Sequence, residues 1–203
     1  MSGCSLSQEQ IERVIAFHGH WCPGLAIGIR ASEYALAELG RDGDEDIVAV
    51  VETDMCGVDA IQVLTGCTFG KGNLIHRDYG KSAFTFWRRG DGKALRLVYA
   101  ADHLRGPDPR MQELNQKASS GLLTAAEQEE LHRLRRQRSQ RIMEAPLEEL
   151  FRVGEPAEPL PRRARIRTSL PCERCGEMTM ETRTRRLEGR TLCLPCYRAL
   201  GGD

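Results

Sequence analysis

The stretch FHGHWCPGLAIG, residues 17–28, sets two histidines and a cysteine on alternate positions and then runs into a Pro-Gly pair. Proline is favoured at the first position of a helix, where a free N–H would have no partner. A helix is therefore predicted to begin at Pro23 or Gly24, with Cys22 at its N-terminus. Leu25, Ile29, Leu36 and Leu39 recur at helical spacing, and Gly40 supplies a stop. Upstream, Ser7 and Gln10 have capping-box spacing and Ile11, Val14 and Ile15 make an apolar face, which predicts a first helix ending near Phe17. His18, His20 and Cys22 share one face only if the junction between these helices is extended.

Farther along, DIVAVVET (residues 46–53) reads as a strand by its β-branched content, and Val58, Ile61, Leu64 and Thr65 in CGVDAIQVLTG return to helical spacing. Cys56 thus falls at a strand-to-helix junction. KSAFTFWRR alternates Ala83, Thr85 and Trp87 against Phe84 and Phe86, GDGK is a tight turn and ALRLVYA comes back, which predicts a β-hairpin. From Pro107 the chain turns helical and charged through about Glu144, with Thr124 and Glu127 as a second capping-box pair. Its apolar stripe, Leu123, Leu131, Leu134 and Ile142, is narrow enough to rest on the core or to dock on a second protomer. Residues 153–169 carry prolines among charges and read as a linker. The expected domains are 1–152, this linker, and 170–203.

Lys plus Arg and Asp plus Glu are equal at 29 each in 203 residues, so no global field draws the chain to nucleic acid or a membrane. The longest aliphatic run, residues 47–51, is far short of the roughly 20 residues that span a bilayer. The N-terminus has no basic and apolar signal pattern, so a cytoplasmic location is expected. In a reducing compartment, eight cysteines point to metal ligation or thiol chemistry rather than disulfides.

Cys172-x-x-Cys175, seventeen residues, and Cys193-x-x-Cys196 match a four-thiolate zinc site. A segment this short cannot bury enough apolar surface to offset about 1–2 kcal/mol of backbone ordering per residue, whereas structural zinc contributes about 10–16 kcal/mol. Gly176 suits a tight knuckle, and CLPCYRAL places the second pair at a helix start, so a treble-clef-like unit is expected ahead of a zinc ribbon. Between Pro161 and Asp203 ten arginines face five acidic residues, an excess suited to phosphates or to an acidic protein partner. The one aromatic residue there, Tyr197, offers no base-stacking platform.

In the core, three readings compete for His18, His20 and Cys22 with Cys56 and Cys67. The first is a divalent transition metal held by nitrogen and sulfur, with one position left to water. The second is a catalytic thiol, Cys22, with its pKa lowered at a helix N-terminus and His18 or His20 as base. The third is ordinary buried cysteine, the reading adopted for Cys4 on the terminus. His132 reads as solvated, and His76 and His103 stay ambiguous. GCTFGKGN has its lysine one residue early for a triphosphate loop and Gly72 in place of Ser or Thr, which leaves Lys71 as a weak candidate for an anionic cofactor group.

FHGHWCPGLAIGIR, ETDMCGVDAIQVLTGCTFGKGNL and DYGKSAFTF, in order across residues 17–86, closely resemble the E-type subunit of formylmethanofuran dehydrogenase and its relatives. LEELFRV and the four-cysteine tail look like the longer members of that family. The resemblance implies an α+β core on an antiparallel sheet, an intertwined homodimer and a metal site around His18, His20, Cys22 and Cys56, with Cys67 as a further candidate. It implies an accessory or regulatory role beside molybdenum- or tungsten-dependent oxidoreductase subunits. The cysteines are too few and dispersed for iron–sulfur clusters beside the zinc module.

Overall fold

In the computed structural model, which describes residues 3–40, 46–101 and 108–202, helix α1 (Gln8–His18) opens where the sequence places its cap. Ser7 and Gln10 bond reciprocally to each other's backbone amide, and His103 lies outside the described residues. Because the Ser7 hydroxyl serves an amide that no carbonyl in the helix can reach, Ser7→Ala is expected to cost about 1 kcal/mol. A lower denaturation midpoint at unchanged slope would register that loss.

Helix α2 (Pro23–Leu39) is capped by Cys22, strand β1 spans Ile47–Val51 and helix α3 spans Gly57–Thr65. Strands β2 (Leu74–His76), β3 (Ala83–Arg88), β4 (Ala94–Tyr99) and β5 (Phe151–Gly154) complete a five-stranded sheet in the order β2-β1-β3-β4-β5. Three pairings are antiparallel, as expected; β1 and β2 run parallel, joined by a crossover through α3. The fold is α+β, with helices gathered on one face of a mainly antiparallel sheet.

Strand alternation explains both faces. Ala49, Val51, Phe84, Phe86, Leu95 and Leu97 point into the main core, where α2 contributes Leu25 and Ile29 and α3 contributes Ile61. Val48, Val50, Thr85 and Trp87 form the opposite face and are buried as well. Residues 155–163 run along that side: the Arg89 guanidinium donates to the Pro161 carbonyl, and Arg163 pairs with Asp46. The expected linker of residues 153–169 is thus partly structured. Its first two residues pair in β5, the following segment is tied down, and the chain divides into units Met1–Arg163 and Ala164–Asp203.

The charged helical stretch is two helices, α4 (Pro109–Ser119) and α5 (Ala125–Glu144), the latter capped by Thr124 and Glu127. Leu131 packs against Met111 and Leu114, while Ile142 enters the main core, so the narrow stripe is covered within the chain. Helix α6 (Leu147–Leu150) leads into β5. Cys4 packs against the main core, so the N-terminal segment is not frayed there, and burial pushes its thiol up to about 11.

The second unit has two hairpins, β6 (Ser169–Pro171) with β7 (Met178–Met180) and β8 (Thr184–Leu187) with β9 (Arg190–Cys193), followed by a short helix α7 (Leu194–Arg198). Among the described residues its buried apolar cluster is Cys172, Leu192 and Cys193, with Leu187, Cys196 and Tyr197 half-buried against it.

Candidate metal centre

His18 is the last residue of α1, and Gly19 follows with φ 92°, a left-handed turn that a side chain would strain. This turn folds the chain back so that the His18 and His20 rings lie 4.4 Å apart. Convergence therefore comes from one left-handed residue and an extended Cys22 (φ −150°, ψ 164°), rather than from an extended stretch throughout.

The Cys22 sulfur accepts the Leu25 amide hydrogen at 3.4 Å and lies 3.9 Å from His18 Nε2. Cys56 comes from another element, the N-cap of α3, and its side chain makes no cap bond. A helix crossing brings the two cysteines together: α2 and α3 touch backbone to backbone at Gly24, Gly28 and Gly57. A ligand atom from each of His18, His20, Cys22 and Cys56 lies within 4.8 Å of all the others.

The expectation of an activated Cys22 thiol is not met. Burial pushes its pKa up, nearby Cys56 adds to the rise, and the Leu25 amide opposes it without prevailing. At 8 % exposure the loss of hydration outweighs the helix-terminus effect. Cys67 is not part of the group. It follows the end of α3, whereas Cys56 precedes its start, and a nine-residue helix separates such positions by about 14 Å. Its buried thiol donates to the Ile47 carbonyl at 3.3 Å. Lys71 stands beside Gly66, also at the far end of α3 from the cluster. His132 is exposed on α5, as expected.

Asp59 enters the site without having been singled out from sequence. Its Oδ2 lies 2.7 Å from His18 Nδ1, an arrangement that turns Nε2 toward the cysteines. Its position in the first turn of α3, three residues after Cys56, was the available signal. Beside the cluster lies a cavity of about 350 Å³ lined by His18, Met55, Cys56 and Asp59, to which Asp54 and His76 add polar groups.

The donor chemistry fits one ion. Bonds of about 2.0–2.3 Å to zinc set tetrahedral nitrogen and sulfur donors roughly 3.3–3.8 Å apart, and the four donor atoms here lie within 4.8 Å of one another. Two imidazoles and two thiols fill a tetrahedron, so the water position expected from sequence is not needed.

In the tail, Cys172, Cys175, Cys193 and Cys196 also lie within 4.8 Å of one another. Gly176, at φ 78°, closes the first knuckle by donating its amide to the Cys172 carbonyl. The Cys175, Cys193 and Arg174 amides hold the Cys172 thiol down at about 6, which prepares a thiolate for metal. Cys196 is pushed up to about 12, chiefly by Cys193 and then by burial. Four thiolates cannot share this space without a cation.

The FmdE family, described as "Molybdenum formylmethanofuran dehydrogenase operon", matches residues 17–152. The chain belongs to the FmdE family. A prokaryotic dksA/traR C4-type zinc finger matches residues 165–200, the four-cysteine unit. A curated relative from Archaeoglobus fulgidus, a "Probable S-adenosyl-L-methionine-binding protein", is 35 % identical over 192 residues, 91 % of this chain. The chain spans 51 % of that relative's length. The crystal structure of a tungsten formylmethanofuran dehydrogenase FmdE-like protein from Syntrophus aciditrophicus has the same fold, with a TM-score of 0.64. It is 24 % identical and the match covers 98 % of each chain. This FmdE-family chain therefore joins a core with a histidine-cysteine cluster to a C4 zinc finger, and a metal-binding role is supported. No helix among the described residues is long and apolar enough to cross a membrane.

Proposed function

We propose that this FmdE-family chain is a metal-binding accessory or regulatory protein serving a molybdenum- or tungsten-dependent formylmethanofuran dehydrogenase-type oxidoreductase. Its core would hold one divalent transition ion on His18, His20, Cys22 and Cys56, and its tail one structural zinc. The observation that carries the reading is the donor count: four protein ligands converge in the core, and a filled tetrahedron favours holding a metal over activating water on it. Asp59 fixes the His18 tautomer and raises its basicity as a ligand. The family's operon description supports the dehydrogenase connection, and the homodimer and cytoplasmic setting belong to the same proposal.

Metal analysis of the purified protein is expected to give two ions per chain. Cys22→Ser should lose one and Cys172→Ser the other. One ion in the wild-type protein, unchanged by Cys22→Ser, would sink the core site. Asp59→Asn is expected to weaken core metal about 10–100-fold in a chelator competition while the tail ion is unaffected.

A second reading, a metal-dependent enzyme, is favoured by the 350 Å³ cavity beside the cluster, with Asp54 and His76 on its wall. His20 is the exposed ligand and the one that a water would replace most readily. Retention of the core ion by His20→Ala, with a titratable bound water, would favour this enzyme reading over the accessory one.

A further inference from the structure

The metal cluster lies on the helix side of the sheet, where Val51 borders its cavity. Val50, the neighbouring residue on β1, faces the other way and lines a separate cavity of about 310 Å³. This second cavity lies between the sheet and residues 156–158. Its floor is Val50, Thr85 and Trp87, with Trp87 only 4 % exposed. The walls carry three cations, Arg77, Lys81 and Arg96, and two carboxylates, Glu52 and Glu158.

The charges are not evenly satisfied. Glu52, on the buried floor side, is committed to Arg96 by a two-pronged contact, Nε to Oε1 at 2.8 Å and NH2 to Oε2 at 2.9 Å. Arg77 and the Tyr79 hydroxyl reach Glu158 at 3.4 Å each, the long limit of a hydrogen bond, between side chains that are nearly half exposed. Lys81 has no carboxylate within ion-pairing distance among the described residues, and its ammonium stands 5.8 Å from the Tyr79 ring. An apolar, aromatic floor beneath surplus positive charge, at the small end of the roughly 300–1,000 Å³ range of ligand pockets, describes a binding site for a compact organic anion.

We propose that this cavity binds a small carboxylic acid with a flat apolar body, its carboxylate on Arg77 and Lys81 and its body against Val50 and Trp87. Glu158 marks the ligand class, because a carboxylate is what Arg77 and Tyr79 already hold. It is also a built-in competitor: an exposed, weakly held side chain that the ligand displaces, lifting residues 156–158 from the mouth. The site is separate from the metal centre, so its fate does not depend on metal.

The chain has two tryptophans, and Trp21→Phe in the full-length protein leaves Trp87 as the sole reporter. Phenylacetate is the probe, and phenylacetamide its uncharged counterpart. Saturable change in Trp87 fluorescence with phenylacetate is expected, with binding about two- to fivefold tighter in Glu158→Gln, the range set by an exposed ion pair. Arg77→Met with Lys81→Met should weaken it about tenfold or more, as should the amide for the carboxylate. These side chains are exposed or half-buried, so the variants are expected to fold, which circular dichroism checks. No saturable change up to about 10 mM in Glu158→Gln, or binding indifferent to Arg77 and Lys81, would overturn the proposal.

Discussion

Gly28→Ala is expected to destabilise the core by about 2 kcal/mol or more and to lose the core metal along with it. Two effects oppose each other. Alanine is better than glycine inside a helix by about 1 kcal/mol. Against this, a Cβ at Gly28 would stand 2.1 Å from the Gly57 carbonyl oxygen and 2.4 Å from the Gly57 Cα. Both atoms are backbone, so no flexible side chain yields, and α3 itself must move. Overpacking typically costs about 1–3 kcal/mol and more when the backbone has to shift, so the clash wins. Since α2 and α3 start with Cys22 and Cys56, separating the helices also pulls the ligand pair apart. Denaturation midpoint and metal content, measured on one sample, check both consequences. Gly24→Ala provides a graded control, because its Cβ would meet the Cys56 Cβ and the Met55 methyl at 3.2 Å, and the methionine can give way. Wild-type stability and full metal content in Gly28→Ala would show that this crossing does not position the site.

The elements legible in the sequence are those whose signals are local. Ser7 with Gln10, Pro23 after Cys22, and Thr124 with Glu127 mark helix starts by chemistry confined to four residues, and all three stand where expected. The 83–99 hairpin was readable for the same reason. Strand β2, three residues long, and β5, four, exist through pairing with β1 and β4, and nothing within such short segments distinguishes them from loop. The proline-rich stretch after β5 has linker composition, yet a second apolar sheet face, Val48 with Trp87, requires cover, and residues before 164 supply part of it. The site divides similarly. Alternate spacing marks His18, His20 and Cys22, while Cys56, thirty-four residues on, joins them in the sequence reading through its helix-start position and the family resemblance. Asp59 depended on where α3 points its first turn, and the glycine crossing depended on two helices meeting. The length of α3, between Cys56 and Cys67, by itself keeps Cys67 out of a site that contains Cys56.

Removing zinc from the tail is expected to unfold the unit Ala164–Asp203 while the Met1–Arg163 transition persists. The contrast lies in what each unit buries. The first has an extended core of helices against a sheet, whereas among the described residues the second has a small cluster of Cys172, Leu192 and Cys193 with Leu187, Cys196 and Tyr197 half-buried against it. Even at about 1.5–3 kcal/mol for each fully buried side chain, a cluster of this size cannot offset about 1–2 kcal/mol of backbone ordering for each residue of the unit. Zinc at about 10–16 kcal/mol supplies much of the difference. Protons compete with zinc for the four sulfurs, and this sets the pH direction. Without metal the thiols oppose one another: the thiolate of Cys172, held down at about 6 against an unfolded thiol near 9, favours the folded knuckle fully above that value and loses the contribution as pH falls through about 6, whereas the raised Cys175 and Cys196 thiols act the other way. Cys172→Ser, or chelation at neutral pH, should therefore collapse amide-exchange protection throughout the tail, with acidification toward pH 6 acting in the same direction. Retained protection in β8 and β9 after zinc is shown to be gone would mean that the hairpin is held by contacts other than the metal.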